Sequence, residues 1–317
     1  MIQHMSENRN CLPSSPLIAV LMINYKQWGL TEKCINSLRK SIGVDLIISL
    51  VDNSTSSSVP EWVTEADDIV FYSSPVNSGF IGGCIHAFEM AMERKPDLVM
   101  LLNNDTEVEP DTLKLLADRF RSDPSTGLVT PAITYASNKN LIWHAGGKFI
   151  PWQMKAAPVY RTVSELPVDP VEVDQVSGCG MMMRPELFRE TGYQNPEFFL
   201  YHEDVEKSLR AKAKGLHNWL VPQARLIHHV SVSAGGVLSK IAVYFTHRNR
   251  FIFAKRNLKP GYMFLFTLYY LSVTAAKTLT YPLKGTGNLV PVMWLATLHG
   301  VTGTTNRVPE WLFNGQS

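Results

Sequence analysis

The sequence is poor in cysteine and carries almost no net charge, and each scarcity closes off a class of protein. Four cysteines in 317 residues (Cys11, Cys34, Cys84, Cys179) form no CxxC pair and no zinc-like spacing. Scattered thiols of this kind read as reduced core or loop residues of a cytosolic compartment. A formal net charge of +2 gives no global basic field of the sort that draws nucleic acid. Internal repeats and low-complexity tracts are absent too. The opening "MIQHMSENRNCLPSSP" lacks the apolar stretch of a signal peptide, so residues 1–15 are expected to form a flexible leader. No apolar run reaches the ~20 residues that a spanning helix needs. The nearest, residues 261–281, holds roughly 15 before Lys277. Its basic flank (Arg248, Arg250, Lys255, Arg256, Lys259) and aromatic content read best as a helix lying in the interface of an anionic leaflet. A helix buried in the protein itself is the other reading.

What is present is the material of a large core: 45% apolar and 18% charged residues. The first half alternates short apolar runs with helical patterns. Strands are expected at 16–25, 46–52, 68–74 and 98–103, and amphipathic helices at 28–42 and 78–95. Buried strands alternating with helices predict an α/β fold with a mostly parallel sheet covered on both faces. The second half is less regular. Residues 133–158 look loop-like with aromatics. A helix opens at Pro185, and another follows Glu203 and stops at Gly215.

Ligands of parallel sheets bind outside the carboxyl ends of the strands. Those ends read Asn24-Tyr25, Asp52-Asn53-Ser54 and Asn103-Asn104-Asp105. One polar end would be a turn signal; three in succession suggest a shared site. Asp105 could hold a hard divalent cation through its oxygens, or merely cap the next turn. Glu203-Asp204 could supply a general base, or complement the dipole of a helix start. His228 or His229 could complete a metal shell, although a lone histidine at a strand end is more often structural. Gly79, Gly82 and Gly83, after Asn77, could let backbone approach a diphosphate, but their spacing is not GxGxxG.

Taken together, "VLMINY", "LVDNSTSSS", "VNSGFIGG", "LLNNDTEVEPDTL", "VSGCGMMMRPELFRETGYQNPEFFLYHEDVEKSLRAKAKG", "ARLIHHVSVSAGG" and "RNRF" make the chain resemble family 2 glycosyltransferases of the GT-A fold, rhamnosyltransferase-like members above all. The resemblance implies a Rossmann-like GT-A domain over residues 16–257. Its nucleotide-sugar half is 16–125 and its acceptor and catalytic half 126–257, with a C-terminal apolar helical tail, 258–317, that associates with membrane. It implies that Asp52 contacts the nucleotide base near Asn24, Tyr25 and Asn53. Asn77 and Gly79 match the nucleotide-side loop. Asp105, beside Asn104, matches the last acid of the DxD motif that holds Mg2+ or Mn2+ on the donor diphosphate. Here that motif reads Asn-Asn-Asp, so its first acid is missing. Asp204 matches the catalytic base with Glu203 beside it, His228 matches a metal ligand, and Arg248 matches a phosphate contact loosely.

The activity so implied is an inverting transfer of a sugar, rhamnose among the candidates, from dTDP-rhamnose or a UDP-sugar to a lipid-linked surface glycan. Its place would be in the cytoplasm, peripheral on the inner face of the membrane. Ser177 to Gly180 and the aromatics Trp143, Trp152, Phe198, Phe199 and Tyr201 could line the acceptor pocket; core packing fits most of them better, Phe198 and Phe199 in particular. The alternative is a catalytically inactive nucleotide-sugar or glycan-binding protein on the same fold, against which the retained Asp204 and His228 argue. A nucleotidyltransferase would want a Gly-rich first strand-loop with a lysine or arginine, and Asn24-Tyr25 stand there instead.

Overall fold

The apolar runs of the first half become the middle of one sheet. The computed structural model describes residues 12–55, 58–191, 198–230, 239–305 and 309–312. Cys11, most of the expected leader and the motif stretches at 192–197 and 231–236 lie outside them. The chain begins β1 (Leu17–Asn24), α1 (Trp28–Leu38), β2 (Asp45–Asp52), α2 (Glu61–Thr64), β3 (Ile69–Ser73), α3 (Gly79–Met92) and β4 (Leu98–Asn103). These four strands run parallel in the order β3-β2-β1-β4.

Strand periodicity divides β1 between two cores. Ile18, Val20 and Met22 enter one; Ala19 and Leu21 enter the other. Helix α1 closes the first with Cys34, Ile35 and Leu38, and α3 closes the second with Ile81, Cys84, Ala87, Phe88 and Ala91. Each fully buried side chain of this kind contributes about 1.5–3 kcal/mol. Gly83 has a packing role: a Cβ there would lie 2.8 Å from the Ile23 side chain, so the glycine lets α3 close onto β1.

Next come β5 (Thr106–Val108), α4 (Thr112–Ser122), β6 (Thr126–Tyr135), β7 (Asn138–His144), β8 (Gly147–Ile150), β9 (Lys155–Pro158), β10 (Val171–Glu172) and β11 (Gly180–Met183). They are followed by α5 (Pro185–Thr191), α6 (Glu203–Ala213) and β12 (His217–His228). Strand β11 runs antiparallel between β4 and β6, so the sheet is parallel from β3 to β4 and again between β6 and β12. Residues 133–158 are therefore not the loop that the sequence suggests. They hold the end of β6, the outer strand β7 and the separate β8–β9 hairpin. These strands are short and partly exposed, which leaves little alternation to read.

Three helices complete the described chain: α7 (Lys240–Asn257), α8 (Pro260–Leu283) and α9 (Val290–Thr302). Tyr244, Phe245, Met293 and Ala296 join α7 and α9 in a third core. Helix α8 buries Phe266, Tyr270, Thr274 and Tyr281, and leaves Tyr262, Phe264, Leu265, Leu268, Leu279 and Leu283 exposed. One face of 261–281 thus packs against the protein, as the buried reading expects, and the other is exposed. No helix among the described residues is long and apolar enough to cross a membrane.

Candidate active site

After β1 the chain builds outward through β2 to β3, then returns to place β4 on the other side of β1. The crevice beyond the carboxyl ends of β1 and β4 is where such a sheet receives a ligand. A cavity of about 500 Å³ opens there. On the β1–β4 side its lining includes Tyr25, Asn53, Asn77, Gly79, Asn104, Asp105 and His228. Its opposite lining includes Gln175, Ser177, Tyr201, Glu203 and Asp204.

The floor is a closed polar network. Asn24 is fully buried; its Nδ2 donates to Asp52 Oδ1 (2.8 Å), and its Oδ1 accepts from Thr31 Oγ1 (2.9 Å) and from the Gln27 backbone N–H (3.2 Å). Ser54 donates to the same Asp52 oxygen through backbone and hydroxyl. Asn104 Nδ2 donates to Thr31 Oγ1 (2.9 Å). Asn24 and Asp52 are buried beneath the cavity rather than in its lining, because each is drawn into this network. This corrects their expected place beside the base; Tyr25 and Asn53 are the residues that reach the cavity. Asn53 Nδ2 donates to the Gly79 carbonyl (2.9 Å), and Asn77 Oδ1 accepts from the Gly79 N–H (3.0 Å). Of Gly79, Gly82 and Gly83, only Gly79 lines the cavity, at φ +72°. Gly82 and Gly83 serve packing within α3 and against β1.

Pairing of β5 with β12 sets His228 opposite Thr106, one residue from Asp105. His228 Nε2 stands 3.0 Å from Asp105 Oδ1, with both residues buried. The His228 ring meets Trp143 edge-on at 4.3 Å, and its Nδ1 has no hydrogen-bond partner among the described residues. His229 turns away and meets Glu107 at 2.6 Å, so His228 is the cavity histidine.

The other wall carries the acids. Phe199, Tyr201 and His202 all have left-handed backbones, φ 62°, 68° and 73°. For bulky residues this is strain on the order of 1 kcal/mol or more each. It lets Glu203 and Asp204 open α6 while facing the cavity. Asp204 Oδ2 accepts from Gln175 Nε2 (3.0 Å) and Oδ1 from the Val205 N–H (2.7 Å). Burial pushes the Asp204 carboxyl up, against backbone hydrogen bonds from Val205 and Gly178 and the Gln175 amide. Burial also pushes Glu203 up, and the Asp204 charge adds to the effect. Glu203 Oε2 is buried without a hydrogen-bond partner among the described residues.

Arg248 does not reach the cavity. It is fully buried in α7, its Nη2 donating to the Phe198 carbonyl (3.0 Å) and its guanidinium 4.8 Å from the Phe245 ring. The expected phosphate contact is corrected: an interior acceptor and an aromatic face take the side chain instead. Phe198 is core, as its sequence reading had it, but Phe199 lines the cavity and stacks on Phe245 at 5.1 Å. Ser177, Gly178, Cys179, Trp143 and Tyr201 line it as well, whereas Trp152 is exposed against Tyr269. Two cavity residues had no signal in the sequence. Gln175 finds Asp204 across 29 positions, and His144 is an isolated histidine whose pKa burial pushes down to about 4.

The donor set can be tested against a divalent ion. Ligands ~2.1 Å from a metal on adjacent octahedral corners stand about 3.0 Å apart. The Asp105–His228 separation is compatible with that edge as well as with their own hydrogen bond, and a carboxylate with an imidazole suits Mn2+ better than Mg2+, which takes oxygen ligands. Among the described residues no group of three His, Cys, Asp or Glu could hold an ion, so diphosphate oxygens and water would fill the remaining positions.

The α/β sheet, with a crevice at its switch point, acids on one wall and an Asp–His pair on the other, has the GT-A-like fold of glycosyltransferases. The chain belongs to Glycosyl transferase family 2, whose profile matches residues 19–192. It is 26% identical over 245 residues to the low-salt glycan biosynthesis hexosyltransferase Agl10 of Haloferax volcanii, covering 74% of each chain. It is 24% identical over 264 residues to the N-acetylglucosaminyl-diphospho-decaprenol L-rhamnosyltransferase of Mycobacterium tuberculosis, covering 75% of this chain and 83% of that one. Among solved structures it resembles the mannosyltransferase PcManGT of Pyrobaculum calidifontis in complex with GDP-Man and Mn2+. The TM-score is 0.55 at 13% identity, over 96% of this chain and 93% of that one. It also resembles GalNAc-T7 with UDP, GalNAc and Mn2+, at TM-score 0.53 and 17% identity, over 68% and 43%. Likeness at such identities speaks for the fold alone.

Proposed function

We propose that the chain transfers a sugar, with inversion, from a nucleoside-diphosphate donor to a hydroxyl of a lipid-linked surface glycan. Rhamnose is the favoured sugar and dTDP-rhamnose or a UDP-sugar the favoured donor, since a relative at 24% identity is named an L-rhamnosyltransferase acting on a diphospho-decaprenol glycan. Residues 16–125 form the donor half and residues 126–257 the acceptor half.

One observation carries this reading: the Glu203–Asp204 acids share a single cavity with the Asp105–His228 pair and with Tyr25, Asn53, Asn77 and Gly79. Asp204 accepts the proton of the acceptor hydroxyl as its oxygen bonds to the anomeric carbon and the bond from that carbon to the diphosphate oxygen breaks. Its raised pKa makes it a stronger base once ionised. Gln175 and the Val205 N–H fix the carboxylate's orientation while its oxygens keep lone pairs for the proton. Asp105 and His228 hold Mg2+ or Mn2+, which when bound supplies Lewis-acid neutralisation of the departing diphosphate. Trp143, Phe199 and Tyr201 offer ring faces to the sugars. No covalent intermediate is required.

Membrane contact belongs to the same reading. Phe264, Leu265, Leu268 and Leu279 on α8 and Trp294 and Leu298 on α9 are exposed, and so are Lys255 and Arg256 in the last turn of α7 and Lys259 and Lys284 at the two ends of α8. Apolar side chains accompanied by lysine and arginine suit an anionic leaflet, here the inner face of the cell membrane.

The test is Asp204→Asn. With the nucleotide sugar chosen from a panel of UDP-, dTDP- and GDP-sugars, transfer should fall by about 10²–10⁴-fold with donor affinity nearly intact. Transfer near the wild-type rate would remove Asp204 as the base.

A further inference from the structure

The segment that delivers Glu203 and Asp204 is strained at three of its residues, and what holds it lies outside the cavity. Every carbonyl from Phe198 to His202 has a partner. That of Phe199 accepts from the Phe80 N–H (3.0 Å) at the start of α3, and that of His202 from the Glu206 N–H (3.0 Å) within α6. The carbonyls of Phe198, Leu200 and Tyr201 all converge on one amide. Asn249 Nδ2, fully buried in α7, donates among them at 2.8, 2.7 and 2.9 Å. Its orientation is not free to reverse, because Asn249 Oδ1 accepts from Arg248 Nε at 2.9 Å. The NH2 group must therefore face the strained segment. On the segment's other side, a Cβ at Gly79 would lie 2.6 Å from the Phe199 ring, so that ring is wedged between the nucleotide-side loop and Phe245.

We propose that Asn249 is a positioning residue of the transferase, clamping residues 198–202, left-handed at Phe199, Tyr201 and His202, and so aiming the Asp204 carboxylate. The proposal rests on the reading of Asp204 as base. No other described side chain spans three of these carbonyls: Arg248 reaches only that of Phe198 and serves to orient the amide. Asn249 itself touches no cavity space and acts through the backbone it holds.

The chemistry suggests the variants. Asn249→Asp keeps the shape but turns a donor into a carboxylate facing three carbonyl oxygens, so it swings to Arg248 and releases the segment. Asn249→Gln keeps the NH2 group one methylene farther along. Arg248→Lys removes the Nε–H that fixes the amide's orientation.

The full chain is assayed with the nucleotide sugar that the wild type turns over. UDP and dTDP binding and cooperative melting report the fold. For Asn249→Asp the expected result is a kcat about 100-fold lower, the loss a displacement near 1 Å produces. The donor KM should stay within about threefold, and the acid limb of the kcat–pH profile should move, because the surroundings of Asp204 change. Asn249→Gln should regain about tenfold of that loss and Arg248→Lys should fall between, so the two milder variants decide the matter if Asn249→Asp does not fold. An unmoved acid limb with wild-type kcat in the folded variants overturns the clamp, as does a loss of kcat that only follows the loss of folded protein. If Asp204→Asn is inactive while the Asn249 variants behave as wild type, the clamp alone fails. If Asp204→Asn is active, the base assignment fails first.

Discussion

The two walls of the cavity are held in opposite ways. On the β1–β4 side, groups at and beside the strand ends satisfy one another: Asn24 with Asp52 and Thr31, Asn104 with Thr31, Asn53 with Gly79; the left-handed residues there other than glycine, Lys26 and Thr55, lie outside the cavity lining. On the other side, Phe199, Tyr201 and His202 adopt left-handed backbones, and the amide that restrains them comes from a helix some fifty positions later, with Asn249 on Phe198 across 51 residues. A relaxed wall suits binding, where many groups each add a little. A strained wall suits the reacting carboxylate, whose placement must be over-determined by its surroundings.

The division is broken most severely through Asp105 and His228, the proposed metal ligands, on the relaxed wall. Asp105→Ala should weaken Mn2+-dependent UDP or dTDP affinity by about 10–100-fold, read by calorimetry with and without EDTA, and leave melting nearly unchanged. Equal nucleotide affinity of the wild type in Mn2+ and in EDTA would count against Asp105 and His228 as a binding pair. Next in size is the outer face of α8, which is tied to the strained wall through α7: Tyr270 meets His247 at 2.9 Å and Tyr269 meets Arg250 at 3.3 Å. Replacing Phe264 and Leu265 together by aspartate should lower binding to phosphatidylserine-containing vesicles by about tenfold or more in sedimentation, since two apolar side chains and the local charge balance are lost. Unchanged sedimentation would leave that face without a membrane role.

The relaxed wall was the legible one. Asp105 and His228 sit where a strand stops, and a strand end is visible as an apolar run meeting a polar residue. The Glu203–Asp204 pair was legible for a similar reason, standing between an aromatic run and a helix. Direction was not legible. Asp52 and Arg248 have the residue types of nucleotide contacts, yet partners distant in sequence turn the first under the floor and the second toward Phe198. Nor does any local pattern announce φ 62° at a phenylalanine or a glutamine 29 positions from its aspartate, since both are imposed by tertiary packing. The strands within 133–158 were missed because they are short and partly exposed, so burial did not impose a period.

The smallest effect separates the walls most directly. Burial raises the carboxyl pKa of both Glu203 and Asp204, so the folded protein holds their protons more tightly than the unfolded chain does. The sign follows from linkage: stability from such a pair is fully present below the unfolded carboxylate range, near pH 4, and is lost as pH rises through the elevated folded values. Around neutrality the ionised Asp204 therefore costs the fold stability while supplying the base, and Glu203 adds its cost as pH rises further. Glu203→Gln or Asp204→Asn should melt a few degrees above the wild type at about pH 8, and the gap should close as pH falls toward about 4. Over the same range the kcat of the wild type should fall on an acid limb lying above the ordinary carboxylate range, because Asp204 must be ionised to act. Equal melting temperatures at about pH 8, together with an acid limb near pH 4, would mean that the acids are as relaxed as the strand ends opposite them, and the contrast between the walls would go.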